Sequence, residues 1–201
     1  KRTYNPKLGI IGGISIIGTT GIVEPKSLKA YKASLALELD VLKAQGYNKV
    51  ALVLGYVGDR FCKEKLGLKD DSIIKIGDHV GFMLRQCVKK TIKEVLLVGH
   101  IGKLIKVANG QFNTHYSFGD NRISSIARYA KLCGADKKTI KDILNETTAE
   151  ATIEILNKAR LTKVFEKIAR DISAKARKLV RNKINIKCIL LSLKGSVLES
   201  S

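Results

Sequence analysis

Short apolar runs separated by helical stretches constrain this chain more than any other feature of its sequence. The runs are "KLGIIGG", "NKVALVLG", "SIIKIG" and "KEVLLVGHIG". Between them lie "SLKAYKASLALELDVLKAQG", with Ser27 as N-cap and Gly46 just past its end, then "DRFCKEKLG". "DHVGFMLRQCVKKT", which Asp78 can cap, and "KLIKVAN" complete the helical set. Runs this apolar leave no wet face, so they predict a mostly parallel sheet with helices on both faces. Later in the chain the apolar spacing is three and four residues, which predicts helices near residues 121–133, 137–144, 148–157 and 164–180. The chain closes on "INIKCILLSL", read as a last strand at the sheet edge with an antiparallel setting open to it. The expectation is one Rossmann-like α/β domain over residues 1–201, with a helical C-terminal half and a final edge strand.

In such a sheet, ligands gather beyond the carboxyl ends of the strands. Three glycine-bearing segments fall there, at residues 12–21, 55–59 and 99–103. The first belongs to "GIIGGISIIGTTGIV", five glycines and no charge in a chain of formal net charge +19. Glycine allows close backbone approach and leaves N–H groups free, so Gly12, Gly13, Thr19, Thr20, Gly21 and Gly99 are candidates for cofactor contact. The order GxGxxG is missing and no acidic residue closes the strand ending at Leu54, which speaks against a nicotinamide dinucleotide. GxxxxGK[ST] is missing too. A neutral loop suits a ligand that is itself a cation, as the sulfonium of S-adenosylmethionine is.

Two further segments carry chemistry. In "VGHIGK", His100 ends a strand and Lys103 opens a helix. In "FNTHYSFGDNR", Asn113, Thr114, His115, Asp120 and Arg122 crowd one connection. A solvated loop with Asp120 capping the next helix explains part of that cluster and not all of it. By residue type, His115 and His100 are the candidate general bases.

Lys and Arg number 37 against 18 Asp and Glu. Residues 158–187 hold 11 basic and 2 acidic side chains. Nucleic acid, an anionic surface or a small ligand with many carboxylates would each answer such a balance. Aromatic residues make up 5% and Trp is lacking, so a base-stacking platform is poorly supplied. A basic nucleic-acid-binding protein without catalytic activity is the alternative reading. Cys62, Cys87, Cys133 and Cys188 form no CxxC pair, and His79, His100 and His115 form no HExxH motif. Reduced thiols, no dedicated metal site and a cytoplasmic setting are expected. The uncharged stretch from Leu8 to Val23 is short and glycine-broken for a membrane span, and it lacks the cleavage site of a signal peptide.

"NPKLGIIGGISIIGTTGIVEP", "SLALELDV", "VGFML", "LVGHIGKLIKVA" and "FNTH" followed by "DNR" together resemble the cobalt-precorrin-5B C(1)-methyltransferases of the CbiD type. The resemblance runs from about Tyr4 to the final strand. It implies transfer of a methyl group from S-adenosyl-L-methionine to ring carbon 1 of a corrin precursor, in the anaerobic route to cobalamin. Cobalt then enters only as part of the substrate. It also implies that this chain corresponds to the family's C-terminal domain, with an N-terminal domain expected as a partner and absent here. No nucleic-acid or membrane partner is implied, and homo-oligomers stay open. The substrate's ionised acetate and propionate groups suit Lys103 and Arg122, with Asn113, Thr114 and Asp120 beside them. Three places depart from the family pattern: Leu54, Gly55 and Tyr56 stand for Pro-Gly-Asn, Gly77, Asp78 and His79 for Ser-Asn-Phe, and Pro25, Lys26 and Ser27 for Pro-Met-Ser.

Overall fold

A computed structural model describes residues 27–201 of the chain, together with Gly12. The strand expected over "KLGIIGG" and the candidates Gly13, Thr19, Thr20 and Gly21 lie outside the described residues. Gly12 adopts a left-handed φ of 70°.

Helix α1 (Leu28–Ala44) starts where the sequence placed it. Ser27 accepts a hydrogen bond from the Ala30 N–H, and Gly46 follows the end with φ of 86°. Strand β1 (Lys49–Leu54) and helix α2 (Tyr56–Glu64) come next. Then follow β2 (Ile73–Lys75), α3 (Val80–Lys89), β3 (Glu94–His100) and α4 (Ile101–Ala108). Four helices succeed one another: α5 (Arg122–Leu132), α6 (Lys137–Leu144), α7 (Ala149–Lys158) and α8 (Lys163–Leu179). Strands β4 (Asn185–Leu191) and β5 (Val197–Ser200) close the chain.

The sheet order is β2-β1-β3-β4-β5. The first four strands are parallel, with Leu52 opposite Leu97 and Leu97 opposite Cys188. Only β5 runs antiparallel, on β4. The run "INIKCILLSL", expected at the edge, is therefore an interior strand parallel to β3. The edge is the four-residue β5, too short to show a hydrophobic period of its own.

The two faces are unequal. One carries Leu52, Leu54, Leu97, Ile186 and Leu190, packed against helices that contribute Leu35, Leu39, Met83, Leu104, Phe165 and Ile168. The other carries Ala51, Val53, Val98, Ile189 and Leu191 under Phe61 and Cys62 of α2. That helix sits close because Gly58 has no side chain: a Cβ there would stand 2.9 Å from the Val98 carbonyl oxygen. All four cysteines are free thiols. Burial pushes Cys62 and Cys87 up to about 12 and Cys188 further in the same direction, so none of these three is a ready nucleophile. Among the described residues no helix is long and apolar enough to cross a membrane, and no cluster of three or more His, Cys, Asp or Glu could hold a metal ion.

Candidate functional site

The order of the parallel strands reverses between β1 and β3, which opens the sheet at its carboxyl edge. There the turn after β2 meets the connection between α4 and α5. The Thr114 N–H donates to the Asp78 carbonyl at 3.1 Å, and the Thr114 hydroxyl donates to the Asp78 carboxylate at 2.5 Å. The Gly81 N–H donates to the Phe112 carbonyl at 2.9 Å. A Cβ on Gly81 would lie 2.8 Å from that of Phe112, so glycine permits the approach. From below, α4 sends up Lys106, 3% exposed, whose ammonium donates to the Thr114 carbonyl at 3.1 Å and the Gly119 carbonyl at 2.9 Å. The connection is thus a tied arch, and His115 sits on it.

Asp78 does not cap α3; the cap position is His79. Its carboxylate faces Thr114 and the Lys103 ammonium, the latter at 3.1 Å. Burial works against its ionisation, but those two partners outweigh burial and hold the carboxyl below the usual range. Asp120 is likewise no cap. Asn121 precedes α5, while Asp120 receives two hydrogen bonds from the Arg122 guanidinium, both at 2.6 Å. That fork holds Asp120 below the usual carboxylate range and raises Arg122.

The two candidate bases differ. His100 Nδ1 accepts the Gly102 N–H at 3.1 Å and so caps α4. Its Nε2 lies 3.1 Å from Glu150, which also accepts the Leu193 N–H at 2.9 Å. Nδ1 as acceptor requires the proton on Nε2, so both nitrogens are committed and the ring clamps β3, α7 and the β4–β5 turn together. Burial, with Arg122 adding to it, pushes the imidazole below its ordinary value against the pull of Glu150. His115 is exposed, with Nδ1 2.8 Å from the Ser117 hydroxyl and 3.3 Å from the Ser117 N–H. Asn113 accepts the His115 N–H at 3.2 Å, which shapes the arch. Gly99 is buried in β3; a Cβ there would meet that of Leu54 at 3.0 Å, so packing accounts for the glycine.

Two clefts adjoin on either side of this arch. The larger, about 550 Å³, is lined by Leu28, Tyr31, His79, Asn113, Ser117 and Phe118 and by the pair Asp78 and His115. No lysine or arginine is among its described lining residues. Burial and the nearby Lys32 ammonium push His79 below its ordinary value. The smaller, about 270 Å³, gathers Lys103, Lys106 and Arg122 with Thr114 and Asp120, and shares Asp78 and His115 with the first. A groove of about 540 Å³ at the opposite end of the strands, beside Leu68 and Leu96, holds none of these groups.

Of the residues singled out from sequence, His115, Asn113, Thr114, Lys103, Asp120 and Arg122 come together here. His100 stands close by, as a clamp. Lys106, Asp78 and His79 were missed as site residues. Lys106 had a signal: it is a lone charge among Leu104, Ile105, Val107 and Ala108.

The fold and the paired clefts define a doubly wound α/β protein with two adjoining clefts at its carboxyl edge. The chain belongs to the CbiD family: residues 1–25 match the CbiD model and residues 113–201 match that of the CbiD C-terminal domain. It is 43% identical over 201 residues to the cobalt-precorrin-5B C(1)-methyltransferase of Methanocaldococcus jannaschii, covering 100% of this chain and 55% of the relative. With the protein of the same name from Thermoanaerobacter sp. it shares 44% identity over 202 residues, again 100% of this chain and 55% of the relative. The Methanosphaera stadtmanae relative is 44% identical over 202 residues, 100% of this chain and 53% of its own length. The chain thus spans about half the length of the curated relatives it matches. No solved structure matches it significantly.

Proposed function

We propose that this chain forms the part of a cobalt-precorrin-5B C(1)-methyltransferase that brings the methyl donor and the corrinoid together across the Asp78–His115 wall. One observation carries the reading: a cleft without lysine or arginine in its described lining adjoins a cleft with three cations. A sulfonium donor disfavours cationic neighbours and favours a carboxylate and aromatic rings. The larger cleft offers Asp78, Tyr31 and Phe118, with Asn113 and Ser117 for polar contacts. S-adenosylmethionine, when bound, supplies an electrophilic methyl group on a positively charged sulfur. The residues Gly12, Gly13, Thr19, Thr20 and Gly21 remain part of this proposal as contacts from the preceding segment.

A substrate bearing several carboxylates favours the smaller cleft, where Lys103, Lys106 and Arg122 stand. The exposed Tyr116 and Phe118 offer an apolar rim for the flat macrocycle. Holding the ring carbon in line with the methyl group is the protein's main task, and positioning of this kind lowers a barrier by up to about 7–11 kcal/mol. His115 serves as the base. The Ser117 N–H donates to Nδ1, so the neutral ring holds its proton on Nε2. To act as a base it shifts to the other tautomer, in which Nδ1 donates to the Ser117 hydroxyl and Nε2 takes the substrate proton.

Calorimetry with S-adenosylhomocysteine tests the donor cleft. Saturable binding is expected, weakened about tenfold in Phe118→Ala, whose exposed ring takes little part in the fold. Unchanged affinity in that variant would remove the donor from this cleft. In the intact protein, His115→Gln is expected to lower turnover about 100-fold or more with that affinity kept; turnover near wild type would exclude the base.

A further inference from the structure

The smaller cleft carries an electrostatic imbalance. Its three cations face two carboxylates: Asp78 is paired with Lys103, and Asp120 with Arg122. Among the described residues no carboxylate lies within 4.0 Å of the Lys106 ammonium, whose two bonds go to neutral carbonyls. An ammonium has three donors, and a cation buried to this degree is costly without an opposite charge. The cleft beside it is where an anion would offset that cost.

Arg122 is already gripped in the geometry a foreign carboxylate would need, two parallel bonds at 2.6 Å. Its partner is open to solvent. The Asp120 side chain is 52% exposed, and its only side-chain hydrogen bonds among the described residues come from Arg122. The fork itself is a strong geometry, but water and a foreign carboxylate both reach it, so it is open to competition. Asp78 differs, because Thr114 holds it as well.

We propose that Lys106 and Arg122 together grip one carboxylate of the substrate, and that Asp120 is an internal occupant of Arg122 that turns out to solvent when the substrate arrives. Asp120 is then a competitor of the substrate and not one of its contacts. This rests on the functional reading above and names the seat within that site.

Uroporphyrin I, a tetrapyrrole with eight carboxylates, is the probe, titrated by fluorescence at fixed salt. Asp120→Asn is expected to bind it about threefold to tenfold more tightly than wild type, since Arg122 is released and a repelling charge is gone. Arg122→Ala and Lys106→Met are expected to weaken it about tenfold or more, and Lys187→Met, at the opposite end of the sheet, to leave it unchanged. A gain of affinity cannot come from misfolding, so equal or weaker binding by Asp120→Asn overturns the exchange. Lys106 also ties the arch, and S-adenosylhomocysteine reports on the arch through Ser117 and Phe118. Lys106→Met that loses the porphyrin and keeps this second ligand supports a direct contact; loss of both overturns it. If wild type fails to bind the porphyrin at all, the polycarboxylate reading of the site falls, and the exchange with it.

Discussion

His100 shows how one side chain can be anchored by both ends and still leave a measurable trace. Its imidazole is held neutral in the fold, chiefly by burial, whereas in the unfolded chain it titrates near the ordinary value of about 6.5. Between the folded and unfolded values the unfolded chain binds more protons, so stability rises with pH there and is lost as pH falls through that window. His79, lowered by burial and Lys32, acts in the same direction. Asp78 adds its loss only further down, as pH falls through its depressed carboxyl value. The urea midpoint is therefore expected to fall from about pH 7.5 to about pH 5. His100→Asn keeps an N-cap oxygen for Gly102 and removes the titration, so its profile should be flatter; an unchanged slope would show that another group titrates. At this scale the sequence disclosed residue types but not their commitments. His100 and His115 look alike in a string of letters. Each accepts at Nδ1 the N–H two residues on, and only Glu150, brought in from α7 to Nε2 of His100, separates the clamp from the open ring. Asp78 and Asp120 misled for a related reason, since each stands beside a helix start yet faces a cation instead of the helix.

Among the elements, those that obey a local period were legible and those defined by their partners were not. Helix α1 announces itself by Ser27, Gly46 and its apolar spacing. Strands β1 and β3 are apolar almost throughout because both faces are covered. Whether β4 is interior or edge depends on β5, whose four residues include Glu199 and Ser200. The arch over residues 112–119 has no period at all; it is held by Lys106 and Asp78 from other elements. The unequal faces yield a test. Among the described helices, α2 is the one that packs against the second face, and Gly58 sets its distance. Gly58→Ala drives a methyl group into the Val98 carbonyl and is expected to cost about 1–3 kcal/mol, as overpacking does. The urea midpoint should drop with its slope unchanged. The clefts lie with α1 and α4 against the other face, so S-adenosylhomocysteine binding should survive. An unchanged midpoint would mean that α2 yields without cost.

The net charge of +19 belongs to the whole molecule, and so does the question of what it serves. The richest stretch lies mostly on α8, whose buried side carries Val164, Phe165, Ile168 and Ile172. Four of its six lysines and arginines, Lys163, Lys167, Arg170 and Lys178, are exposed on the other side. None of these four lines either cleft. They create a field that reaches roughly a Debye length, about 8 Å at physiological salt, while Lys103, Lys106 and Arg122 act by contact. These roles separate by salt. Raising sodium chloride from about 0.05 to about 0.5 M is expected to weaken uroporphyrin I binding at least several-fold, since both the field and the exposed pairs are screened. S-adenosylhomocysteine carries no net charge and enters a cleft without lysine or arginine in its described lining, so its affinity should change less than twofold over the same range. Parallel losses for both ligands would mean that salt acts on the fold and not on the charges of the smaller cleft. A structured RNA in the same titration separates the remaining reading. Unspecific attraction to a basic surface gives dissociation constants of about 10⁻⁴–10⁻⁶ M at physiological salt, and that is the range expected here. Saturable RNA binding well below it, abolished by reversing Lys163, Lys167 and Arg170, would assign the charge to nucleic acid and leave the clefts to explain only part of the molecule.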